Sequence, residues 1–210
     1  MDLQNLYTKM TNDSIITNEY QIIVGNEKLG GYATHDLSHI NRVISYCEKI
    51  AKLLKLNDRD IAGIKIAALL HDIGNAQGGK GGHAERSYEW SKNYLKEVDD
   101  ETREKILYAI RDHSGDGNDI YGKILAFADK IDICDKRILP EGLQIFGNRQ
   151  YAHILSTDFN IKENKLTVEF KTDGQININE MKQYYFTEKV FQSIKSLADF
   201  LTLDYEIIFT

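Results

Sequence analysis

Residues 57–74, NDRDIAGIKIAALLHDIG, constrain the chain more than any other stretch. From Ile61 to Leu70 apolar or small residues occupy nearly every helical face, so a helix here has to be covered on all sides, as at the centre of a bundle. Asn57 and Asp58 offer N-caps and Gly74 an exit. Just before that exit stand His71 and Asp72. An ionised aspartate in such surroundings is costly unless it is paired or bound to a cation, which makes its placement informative.

A second stripe, Leu37, Ile40, Val43, Ile44, Cys47, Ile50, Ala51 and Leu54, recurs at helical spacing and predicts a helix over 35–55. Further helical patterns run over 83–98, 100–113 and 118–138, the last closed by Pro140. Residues 75–82, NAQGGKGG, are too rich in glycine to continue a helix and read as a loop on the rim of whatever His71 and Asp72 do. The opening 32 residues read as one or two helices.

Beyond Tyr151 the period changes from 3.6 to 2. HILSTDF and KLTVEFKTD alternate like a hairpin, 178–201 is again amphipathic, and DYEIIFT reads as a closing strand. The expectation is therefore a mainly α protein. A helical bundle covers 1–149, and a small α+β hairpin-helix-strand extension, 150–210, packs on it or mediates self-association as a homodimer. His153 is the extension's lone histidine.

A chain of 210 residues suffices for one sizeable core, and its net charge of −6 argues against broad binding to nucleic acid or anionic membrane, which needs a cationic surface. Cys47 and Cys134 sit among helix-type residues, with no secretory pattern ahead of them, and read as reduced thiols. No uncharged apolar run reaches the length of a membrane span, so the expected location is cytoplasmic.

Four residues on apolar helices carry chemistry: His39, His71, Asp72 and Asp129 in LAFADKID. Singly, each has an ordinary reading: a boundary histidine, a helix terminator, an ion-pair partner. Together they are the imidazole and carboxylate donors that divalent ions of intermediate hardness require. His35 and His39 lie four apart as in a zinc-protease helix, but the residue after His35 is Asp36 where that chemistry needs Glu.

The segments HINRVI, AALLHDIG and ILAFADKID, with Arg42 and Val43 after the first histidine and Ala128 and Lys130 around the last aspartate, resemble the HD-domain metal-dependent phosphohydrolases. That resemblance implies a helical bundle holding divalent metal and acting on phosphoesters, often of nucleotides. It also makes His83 in GGHAERS and His113 in AIRDHSG ligands of a second ion, with Asp72 shared between the two. Within the family, HAERSYEW, ILYAIRDHSG and KILAFADKID most resemble the bacterial enzymes that cleave dinucleoside tetraphosphates symmetrically. One position departs from the family: the familiar HDIGK is HDIGN here, with Asn75 for lysine, leaving Lys80 as a nearby cation.

Residue chemistry points to His39, His71, Asp72 and Asp129 as metal ligands, the resemblance adds His83 and His113, and Asp72 and Asp129 are also placed in the catalytic set. Arg42 and Lys130 are placed as catalytic phosphate contacts, joined by Lys80 and more weakly by Arg86 and Arg111. Asp112, Asp116 and Asp132 are candidates to orient a ligand or a water. One or two divalent ions are expected, Fe or Mn favoured, with Zn, Mg, Co and Ni compatible. The expected substrate is a small phosphorylated molecule, a nucleotide by preference, attacked by metal-activated water. The rivals are a di-iron oxygenase of HD type and a nucleotide-binding regulatory module.

Overall fold

Asp2 accepts from the amides of Gln4 and Asn5 and so caps α1 (Leu3–Thr11), and α2 (Ser14–Glu27) follows after a short turn. Asp36 and Asn57 do the same for α3 (Leu37–Leu53) and α4 (Asp58–Leu70). Next come a 3₁₀ turn at Ile73–Gln77, α5 (His83–Tyr94), α6 (Asp100–Asp112) and α7 (Ile120–Lys130). In this computed structural model, which describes residues 2–210, the chain divides into two compact units: the first runs to Asn26 and resumes over His35–Asp129, and the second comprises Glu27–Thr34 and Lys130–Thr210.

In the first unit α4 is packed by α1, α3 and α6, as its all-round apolar surface demands, and α5 lies against α6. Ile64, Ile66, Ala67 and Leu70 of α4 are buried with Ile40, Val43, Cys47 and Ile50 of α3. Each isoleucine, leucine or valine among them contributes about 1.5–3 kcal/mol when withdrawn from water, so this seam fixes where the ends of α3 and α4 lie.

The second unit begins with 27–34, whose Tyr32 carbonyl accepts from Leu139 N and whose Thr34 amide donates to Arg137 O. It continues through α8 (Pro140–Leu143), β1 (Ile154–Lys162), β2 (Lys165–Thr172), α9 (Ile178–Met181), α10 (Tyr185–Phe200) and β3 (Asp204–Phe209). The sheet order is β1-β2-β3, an antiparallel hairpin with β3 parallel to β2. Glu163 and Asn164 both take positive φ, the geometry of a two-residue hairpin turn. A parallel neighbour needs a crossover, which α10 supplies. Leu166, Val168 and Phe170 are buried, and Phe170 stacks on Phe209 across the β2–β3 register.

The protein is mainly α with a small sheet near its C-terminus, as the two periodicities require. Several helix limits differ from expectation, α4 among them, which stops at Leu70 and passes into the 3₁₀ turn before Gly74. The first predicted helix starts at Leu37, because the Asp36 carboxylate takes the His39 amide at 2.9 Å. The 118–138 pattern stops at Lys130, and Arg137 Nη1 then takes the Asp132 carbonyl at 2.8 Å. The 178–201 pattern breaks into α9 and α10, with Thr187 Oγ1 bonded to the Met181 carbonyl. Among the described residues no helix is long and apolar enough to cross a membrane.

Candidate metal centre

Within the first unit the ends of five helices, α3 to α7, converge on one cluster of imidazoles and carboxylates. His71 and His113 each stand one residue past a helix, α4 and α6, where the last carbonyls have no helical partner. His71 Nδ1 meets Ala68 O at 2.8 Å and His113 Nδ1 meets Ile110 O at 2.6 Å. His83, opening α5, repeats the pattern with Lys80 O at 2.7 Å. A carbonyl can only accept, so each Nδ1 carries a proton and Nε2 is the atom left to face the cluster, where it becomes a donor to metal once any proton on it is displaced.

The Nε2 atoms surround Asp72. Its Oδ2 lies 3.6 Å from His39 Nε2 and 3.3 Å from His71 Nε2, which also stand 3.4 and 3.6 Å from Asp129 Oδ1. Its Oδ1 lies 3.3 Å from His83 Nε2 and 3.7 Å from His113 Nε2, and those two nitrogens are 3.0 Å apart. Two donor sets share one carboxylate: His39, His71, Asp72 and Asp129, and Asp72, His83 and His113. Donors held about 2.1 Å from one ion at tetrahedral or right angles would themselves be about 3.0–3.4 Å apart, close to these separations. Among the described residues, buried His71 Nε2 and Asp72 Oδ2 have no hydrogen-bond partner, an expensive arrangement without a cation. The residues fit divalent metal.

Charge distribution agrees with that fit. Burial opposes ionisation of Asp72, yet the imidazoles of His71, His35 and His39 hold its carboxyl well below the usual range; Asp129 is held down likewise by His39 and His71. Burial also opposes a charge on His71, but Asp72 and Asp129 outweigh it and raise the ring to about 10. His113, buried and next to His71, is pushed down to about 3. The two carboxylates are thus anionic at neutral pH, and a cation arriving there displaces protons from imidazole.

The remaining sequence candidates are placed as follows. Arg42, one turn beyond His39 on α3, bonds Ser38 Oγ at 2.7 Å. Lys130 is the last residue of α7, and Asp132, in the second unit, is bonded through its carbonyl to Arg137. Lys80 lies in the glycine loop. Arg86 turns its guanidinium to the backbone of that loop, and Arg111 bonds Asp112 and covers the Tyr108 ring at 4.6 Å, so both are engaged by protein groups. Asp112 also accepts from Asn118, and Asp116 is exposed. His35 is buried edge-on to His39, 5.5 Å between ring centres, and His153 pairs with Asp173 in the second unit. Burial pushes the Cys47 thiol up, so it is no nucleophile.

Two supports escaped the sequence reading. Asn75 Nδ2 donates to Asp72 Oδ1 at 3.0 Å, so the residue that replaces the familiar lysine orients the shared carboxylate. The doublet's spacing, Asp72 to Asn75, is the only hint of this. Tyr20 Oη donates to Leu69 O at 2.6 Å and carries no local signal at all.

Residues 36–133 match the family model of the HD domain. The chain is also similar to the crystal structure of a predicted HD superfamily hydrolase from an uncultured Thermotogales bacterium, at 31% identity over 57% of this chain and 67% of that one, with a TM-score of 0.46. No curated protein matches the chain.

Proposed function

From the premise that residues 36–133 form an HD domain, we propose that this chain is a metal-dependent phosphohydrolase acting on a small phosphorylated substrate, by preference a nucleotide. One observation carries the reading: Asp72 offers one oxygen to His39 and His71 and the other to His83 and His113. Divalent metal held by such a set supplies Lewis acidity and makes water nucleophilic near neutral pH. The protein's own part is orientation. The carbonyls of Ala68, Lys80 and Ile110 fix three imidazoles in one tautomer, and the Asn75 amide steadies Asp72. Asp129 and His83, each with 17% of its side chain exposed, are the cluster members nearest solvent, where a substrate would enter. Arg42 and Lys130 are the cations proposed to meet its phosphates, and Lys80 a third.

Two ions, Fe or Mn by preference, suit a donor set with four imidazoles. Dinucleoside tetraphosphates lead the substrate panel because HAERSYEW, ILYAIRDHSG and KILAFADKID resemble enzymes that cleave them. A cytoplasmic location and a homodimer complete the proposal.

The test is product release from mononucleotides, dinucleoside polyphosphates and cyclic dinucleotides by metal-stripped protein reloaded anaerobically with Fe(II), Mn(II) or Co(II), beside His71→Ala. Turnover that the variant abolishes is the expected result, and the products name the bond. Silence with every metal, or oxygen uptake by the iron form without phosphate release, would sink the proposal.

A further inference from the structure

Arg86 spends its guanidinium on backbone carbonyls. Nε donates to Gly74 O at 2.9 Å, Nη1 to Gly81 O at 2.6 Å, and Nη2 to Gly79 O. A planar fork with donors at fixed angles can meet three carbonyls in this way. Gly79 and Gly81 flank Lys80, whose carbonyl anchors His83 Nδ1 at 2.7 Å. Gly74, three residues after His71, is gripped from both sides, since its amide donates to Ser87 Oγ at 2.9 Å. It has to be glycine, because a Cβ there would lie 2.5 Å from both His83 O and Ser87 N.

We propose that Arg86 is a positioning residue for the second donor set: by clamping Gly74, Gly79 and Gly81 it holds the Lys80 carbonyl where it aims His83 at Asp72 and His113. Three members of the first set do not pass through this clamp, and the fourth, Asp72, is common to both sets. His39 is seated on α3, His71 is anchored to Ala68 O, and Asp129 is carried by α7. The loop has no stiffness of its own, with Gly79 and Gly82 at positive φ and open space around Gly79. Loss of the guanidinium therefore frees two carbonyls beside Lys80 and lets His83 swing, while His39, His71 and Asp129 keep their own anchors. The inference rests on the two-ion reading of the site.

The experiment is isothermal titration of metal-stripped protein with Mn(II), joined by metal analysis after gel filtration, on the wild type, Arg86→Ala, Arg86→Lys and His83→Ala. Circular dichroism checks folding, and Arg86→Lys, which keeps the charge and stem, carries the test if the alanine variant does not fold. Two sites are expected in the wild type. Both Arg86 variants should retain one at wild-type affinity and bind the other about 10- to 100-fold more weakly, the usual size for the partner of a metal-bound histidine. His83→Ala should weaken the same site. A wild type that binds one ion overturns the clamp together with the two-ion reading. Two ions in the wild type, bound equally well by both Arg86 variants, overturn the clamp alone.

Discussion

The two compact units treat buried polar groups in opposite ways. In the second, Glu180 accepts from Gly147 N and Arg149, Thr187 bonds Tyr151 Oη and Met181 O, Thr157 donates to Ile131 O, and Asn148 donates to Gly142 O. Among the described residues, none of that unit's buried side-chain polar atoms lacks a hydrogen bond. In the first, His71 Nε2, Asp72 Oδ2 and the adjacent Asn75 Oδ1 lack one at the cluster, and Ser91 Oγ of α5 lacks one as well. Pairing is how a fold removes the cost of burying polar atoms, so atoms left without partners at one spot mark where stability yields to a ligand.

Breaking that contrast at its centre should give the largest effect. Asp72→Ala removes the donor common to both sets, and because metal Lewis acidity supplies several kcal/mol to such reactions, turnover should fall about a thousandfold or more. Calorimetry tells the same story without turnover. Metal at a hundred times its Kd should stabilise the wild type by about 2.7 kcal/mol and leave the Asp72→Ala midpoint unmoved. A variant stabilised as strongly as the wild type would mean that Asp72 is no ligand.

In the second unit the comparable effect is pure packing. Phe170→Ala empties a buried position stacked 5.2 Å from Phe209 and should cost about 3–5 kcal/mol in urea unfolding. A cost below about 1 kcal/mol would show that this face of the sheet is not a packed core. Gly74→Ala tests the opposite fault, overpacking. With backbone atoms 2.5 Å from the added carbon, a loss of about 1–3 kcal/mol is expected, and an unchanged melting temperature would contradict the close approach of the 3₁₀ turn to α5.

How much of this could be read beforehand follows from where each feature is encoded. The helices and hairpin are written in local periodicity, so the mainly α class and the closing strand-helix-strand order were legible, down to the alternation in KLTVEFKTD. The end of α7 was not, because Ile131, Ile133 and Cys134 continue an apolar helical pattern, and the contact of Arg137 with the Asp132 carbonyl just beyond the stop is not written in that periodicity. Of the six proposed ligands, Asp72 and Asp129 stand out because charge on apolar helices is costly, while His83 and His113 rest on the family resemblance alone; all six lie together here. Arg86 looked like a phosphate contact because sequence gives a residue its charge but not its direction. Asn75 looked like a loss for the same reason.

A pH series sharpens the contrast from the second unit's side. The Arg149 guanidinium beside Glu180, helped by the Gly147 amide, holds its carboxyl down at about 2. A lowered pKa means that the folded state binds the proton less readily than the unfolded chain, whose glutamate titrates near about 4.3. The stability contributed is present above that value and drains away as pH falls toward about 2. Glu180→Gln should therefore flatten the acid limb of urea midpoints over that window and leave neutral-to-alkaline slopes unchanged. Parallel acid limbs in the two proteins would remove Glu180 from the account.

The smallest effect expected sits where the two kinds of burial meet in the first unit. α4 ends at Leu70, so its last carbonyls face the cluster without helical partners, and Tyr20 Oη satisfies that of Leu69. Tyr20 is fully buried and the neighbouring carbonyl, Ala68 O, is the one that orients His71. Tyr20→Phe keeps the ring and deletes the donor, so it should cost about 1 kcal/mol, the net worth of one buried hydrogen bond. Because the helix end is shared with His71, metal affinity should fall as well, by less than the tenfold expected for an anchor that touches a ligand directly. Equal stability with weakened metal binding would make Tyr20 part of the site's support rather than of the core, whereas lost stability with unchanged affinity would confine it to the core.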